Sequence, residues 1–171
     1  MDWITRLMIF LSVFFKWDTT MPEIEVESNR EKLYRVAKSC LGREMSPLDI
    51  APDTLACVES LNGVFKEAFG TPIATGIVGT SLLYAHMLED SRFKEIPNEE
   101  ALPGDIRIYV TGQSEKGAPH GHVLVLGKET AMSNDSNSTP PGLWHAHYTL
   151  PAMALVFEKT LGFPPVTFRV V

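Results

Sequence analysis

The sequence predicts an α+β domain, with helices first and an antiparallel β-sheet after them. Apolar residues recur at helical spacing between Ser28 and Glu89. After Pro103-Gly104 the period shortens to alternation. No strand–helix–strand repeat of the kind that builds a parallel sheet is visible. At 171 residues the chain suits one domain with short extensions, and 44% hydrophobic with 21% charged residues excludes wholesale disorder.

The N-terminal stretch, residues 1–18, reads as a hydrophobic leader. A membrane span needs about 20 apolar residues, so the uncharged run Leu7–Phe15, bounded by Arg6 and Lys16, is too short to cross unaided. No small-x-small cleavage site follows it. The readings left are a signal anchor, an interfacial helix with Trp3 and Trp17 as end anchors, or a helix docking on its own domain or on another copy. Membrane contact through residues 1–18 is therefore one expectation. Residues 19–27, acidic and broken by Pro22, read as a linker, and the folded domain is expected over 28–171.

The first helix opens at Ser28, with Glu31 at capping-box spacing; Leu33, Val36, Ala37, Cys40 and Leu41 form its stripe and Gly42 stops it. Cys40 lies on that stripe and reads as buried core. A second helix is expected over Leu55–Phe69 after Ala51-Pro52-Asp53-Thr54, with Leu61, Val64, Phe65 and Ala68 inward and Gly70 as its end. A third follows Thr80. Strands are expected at Asp105–Val110, His122–Leu126, near Thr130–Asn134, and at Val166–Val171, with Gly127-Lys128-Glu129 as a tight connection.

Charge narrows the function classes. Lys and Arg total 15 against 21 Asp and Glu, a formal net charge of -6, which argues against nucleic acid as the partner. Two cysteines are too few for a disulfide scaffold. Cys57 falls in the first turns of its helix, where free N–H groups and the helix dipole favour a thiolate, the form that attacks a carbonyl. A nucleophilic thiol needs an imidazole beside it, and His122, opening a strand directly after Gly121, is the candidate. A third polar group must orient that ring. Asn134, across the tight turn, is the first choice, with Asp135 and Ser133 as alternatives.

Taken together, LACVESLNGVF, PGDI, GHVLVLG and a strand ending in SND resemble the papain-like cell-wall hydrolases of the CHAP and NlpC types. The segment from Ala51 to Cys57, MSNDSNSTPPGLW and the terminal FRVV look most like phage or prophage lysis enzymes. The resemblance spans about residues 28–171. It implies a papain-like fold and a cysteine amidohydrolase or peptidase that cleaves an amide bond of bacterial peptidoglycan without metal or organic cofactor. It assigns Cys57 as nucleophile, His122 as general base and acid, and Asn134 as the orienting residue. Asp105 would be structural. From the residues themselves, His120 reads as groove lining, and Trp144 and Tyr148 read either as ordinary packing or as flanks of the substrate channel. The setting implied is the bacterial envelope, or a phage-encoded enzyme released at lysis. Val58 and Glu59 follow the cysteine where the family usually has an aromatic residue or Ser-Gly.

Two other classes remain open. One is a binding or structural module of the same fold that performs no turnover. The other is a zinc enzyme built on His120/His122 and His145/His147, since residues two apart on a strand face the same side.

Overall fold

The computed structural model describes residues 26–46, 56–138 and 141–171. The leader, most of the linker, and the Ala51–Thr54 start signal with Leu55 lie outside the described residues. Helix α1 (Asn29–Ser39) begins with the expected capping box: Ser28 Oγ accepts the Glu31 N–H (3.3 Å), and Glu31 Oε2 accepts the Ser28 N–H (3.0 Å). Such a cap contributes about 1 kcal/mol. Leu33, Val36, Ala37 and Cys40 are buried, whereas Leu41 is exposed, because the helix ends at Ser39 and the chain turns at Gly42 (φ 79°). Helix α2 (Cys57–Phe69) starts from Ala56 without a side-chain cap and ends at Gly70 (φ 82°). Its expected inward face, Leu61, Val64, Phe65 and Ala68, is buried, and so are Glu59, Ser60 and Asn62. Helix α3 (Thr80–Glu89) turns Leu83 and Met87 inward and leaves Leu82 and Leu88 exposed.

The strands are β1 (Phe93–Ile96), β2 (Ile106–Tyr109), β3 (His122–Leu126), β4 (Thr130–Asp135), β5 (Leu143–Thr149) and β6 (Pro165–Val170). They form one antiparallel sheet in the order β1-β6-β2-β3-β4-β5. The expected meander runs from β2 to β5, and β6 returns to lie between β1 and β2. Strands β1 and β5 were not foreseen. Nor was the covering element between β5 and β6: a short helix α4 (Leu150–Met153) continuing into a wide π turn, Ala154–Thr160.

Alternation along the strands gives the sheet two apolar faces. Ile106, Ile108, Val123, Val125, Met132, Trp144 and Phe168 pack with α1, α2 and α3 in one core, which includes Cys57. Tyr109, Leu124, Leu126 and Ala131 pack with Met153, Phe157 and Phe163 in the second. Asp105, fully buried, accepts the Leu102 N–H (2.7 Å) and both arms of the Arg169 fork (3.0 and 2.8 Å), tying the start of β2 to β6.

Candidate active site

The site is organised by the start of β3. Gly121 precedes it in a space no other residue fits. A Cβ there would stand 1.9 Å from Tyr109 O, 2.6 Å from Thr80 Oγ1 and 2.7 Å from Thr111 N. The Gly121 N–H donates to Thr111 Oγ1 (2.9 Å), and the Thr111 N–H donates to Thr80 Oγ1 (2.9 Å). The first turn of α3, the end of β2 and the residue before His122 are thereby held together.

Beyond this point β3 and β4 form a fork. The Leu126 N–H donates to Asp105 O on the β2 side (2.9 Å), so alternation turns the N–H groups of Val125 and Val123 toward β4. Paired residues on these two strands are Val125↔Met132 and Leu126↔Ala131; the pairing does not extend to Val123. Cys57, at the beginning of α2, packs against β3 in the same core as Val123 and Val125. Across the same fork, on the opposite face, His122 Nε2 bonds Ser133 Oγ (2.9 Å). The His122 ring stacks on Phe157 of the π turn (centroids 5.1 Å apart, planes 3° from parallel).

The hairpin register decides which third residue meets His122. Opposed residues on β3 and β4 are Val125 with Met132 and Leu126 with Ala131, so positions sharing the face of His122 on β4 are odd-numbered. Ser133 and Asp135 lie on that face. Asn134 points the other way, buried beside Trp144, on the side of the sheet that carries Cys57. The expected partnership of His122 with Asn134 is therefore not what the fold forms; Ser133 takes that position. Asp135 sits 3.6 Å from His145 Nδ1.

Electrostatics at the fork favours the uncharged forms. Burial pushes the Cys57 thiol up to about 11, outweighing the N–H groups of Val123, Val58 and Cys57 itself, which favour the thiolate. The expectation that the helix start would leave a stabilised thiolate is thus corrected: desolvation wins. Burial also pushes the His122 imidazole down to about 3, with His147 adding a repulsive contribution. Thiol and imidazole both rest neutral but on opposite faces of the sheet, so the fold does not bring Cys57 and His122 together as the sequence reading expects, and no hydrogen bond joins the two side chains among the described residues.

Trp144, open in sequence between packing and the groove, is fully buried and donates its indole N–H to Ala37 O (3.0 Å), so it packs β5 on α1. His120 is exposed on the loop before Gly121. His145 and His147 are on β5, half-buried, and His147 leans on Tyr148. Among the described residues no group of three or more His, Cys, Asp or Glu converges as metal ligands would. Cys40 and Cys57 are both buried free thiols. Sequence reasoning missed Phe157, whose LVFEK setting reads as ordinary helix, and Thr80, for which no local signal exists. No known protein family matches the chain, and no curated protein is significantly similar to it in sequence.

Proposed function

We propose that this protein is a papain-like cysteine amidohydrolase or peptidase that cleaves an amide bond of bacterial peptidoglycan, in the manner of phage-type lysis enzymes. The observation carrying the reading is the fork itself. A helix-start cysteine packs against β3 in the core beneath Val123, the residue next to His122, while the His122 imidazole lies on the other face of the sheet. Cys57 attacks the scissile carbonyl and water then releases the acyl group; for His122 to take the thiol proton and return it to the leaving amine, its imidazole has to move from the opposite face of the sheet to the Cys57 side. N–H groups at the start of α2 are suited to the oxyanion. The choice of peptidoglycan rests on the resemblance of the motifs around Cys57, Asp105 and His122.

The test is fragment release from purified peptidoglycan in reducing buffer, followed by mass spectrometry, for wild type, Cys57→Ala and His122→Ala. Defined fragments from wild type and none from either variant support the reading, and the fragment ends name the bond. The deep burial of the thiol and its protonated resting form favour a second reading, a binding module of the same fold without turnover. No fragments from wild type, together with unchanged peptidoglycan binding by Cys57→Ala, would select it.

A further inference from the structure

We propose that residues 1–18 dock on the exposed apolar face of α3 of the same chain. Leu82, Ala85 and Leu88 follow one another at three-residue steps, so they form one row along the helix surface. All three are exposed, Leu82 at 59% and Leu88 at 52%, and exposed Val78 lies just before the helix. Leu83 and Met87 already supply the inward face, so packing α3 on the sheet does not need this row. Apolar residues gathered in a row, as opposed to scattered singly, mark a contact surface.

The leader is attached beside this row. The Asn29 side chain donates to Val171 O (2.9 Å), the Val171 N–H donates to Arg92 O (3.0 Å), and the Asp90 N–H donates to His86 O of α3 (3.1 Å). The start of α1 is thereby joined to the C-terminal end of α3. Residues 19–25, seven in number, connect the leader to Val26 and reach at most about 25 Å, whereas the ten residues of α3 span about 15 Å. The whole row is within reach, and so short a tether holds the leader at an effective concentration of about a millimolar, where a small contact surface suffices. Length and charge favour α3 over a bilayer as the receiving surface. The uncharged run Leu7–Phe15 falls short of the about 20 residues that cross a bilayer, but at a helical rise it measures about 14 Å, close to the length of α3. Helix α3 has no Lys or Arg and carries Glu89 in its last turn, whereas a face that lies on anionic lipid is rimmed by basic residues.

The experiment is photo-cross-linking of the full-length protein. Leu82→Cys is labelled in the native state with a benzophenone maleimide, Cys40 and Cys57 being buried, and tryptic peptides are mapped after irradiation. A link within one chain from position 82 to the peptide Leu7–Lys16 is expected. Leu155→Cys is the control: that position is as exposed (60%) but belongs to the π turn on the other face of the sheet, and it should give no such link. Tryptophan emission gives a second reading, since Trp3 and Trp17 are in the leader and Trp144, the third, is fully buried. Leu82→Gln combined with Leu88→Gln should shift the emission to the red while far-ultraviolet circular dichroism stays that of wild type. Equal links from positions 82 and 155 overturn the proposal, as does the absence of a link together with unshifted emission in the double variant. Links only between chains overturn it in favour of a second copy. No link in wild type, with pelleting on phosphatidylglycerol vesicles, overturns it in favour of a bilayer.

Discussion

Replacing Gly121 with Ala tests how firmly the start of β3 is fixed. The added Cβ would lie 1.9 Å from Tyr109 O, 2.6 Å from Thr80 Oγ1 and 2.7 Å from Thr111 N. Two of these atoms are backbone, so no rotamer change relieves the overlap; either β3 shifts away from β2 or the Thr80–Thr111 bonds break. Overpacking at sites able to give costs 1–3 kcal/mol, and this site has backbone on two sides, so we expect about 3 kcal/mol. For a chain of this length that lowers Tm by roughly 6–12 °C. The comparison is Gly79→Ala, where the nearest atom is Ser81 Oγ at 3.9 Å and the cost, that of a poorer helix cap, is at most about 1 kcal/mol. Urea and thermal unfolding of the two variants beside wild type give the answer. A Gly121→Ala protein as stable as Gly79→Ala would refute the claim that this junction is closed to a side chain.

Three further expectations follow from the same geometry. The His122 imidazole is held down to about 3, so its contribution to stability is present above its ordinary value near 6.5 and is lost as pH falls toward 3. One proton corresponds to about 1.4 kcal/mol per pH unit on that limb. His122→Gln should flatten the loss of stability between pH 6 and pH 4, and an unchanged slope would contradict the burial account. Arg169→Ala leaves the buried Asp105 carboxylate without its fork and should cost about 3 kcal/mol by urea unfolding, part of it recovered by adding Asp105→Asn. With its thiol near 11, Cys57 is about one part in a thousand thiolate at pH 8, so native-state alkylation by iodoacetamide should quicken about tenfold per pH unit up to pH 10. A rate already level near pH 7 would mean a thiolate at rest and would contradict the burial account.

Local signals made much of the fold legible. The Ser28–Glu31 box, the stripe of α1 as far as Cys40 and Gly70 are each set by bonding and packing within one element, and they appear as expected. Strand β1 escaped notice because FKEI is four residues with two charges in the middle, and only pairing with β6 makes it a strand. Strand β5 was obscured because LWHAHYT alternates imperfectly, its register broken by the irregularity between Ala131 and Ser133. The candidate site was legible in its residue types and less so in its pairing. Cys57 and His122 both lie at β3 but on opposite faces of the sheet, and Asn134 differs from His122 by an even number whereas the actual connection puts odd-numbered positions of β4 on the His122 face. A one-residue difference in a tight turn reverses that parity, and nothing in Gly127-Lys128-Glu129 fixes it. The charge state of the thiol was misjudged for a related reason: helix position is visible in sequence, whereas depth of burial is a property of the assembled fold.

The most direct test of Cys57 as nucleophile is mass spectrometry of acid-quenched digests, seeking a covalent acyl adduct during turnover of soluble peptidoglycan fragments. We expect an adduct mass on the peptide containing Cys57, none on the peptide containing Cys40, and none on either after Cys57→Ala, which should also be inactive. Fragment release that continues in Cys57→Ala, with no adduct on Cys57 in wild type, would contradict a thiol mechanism at the fork.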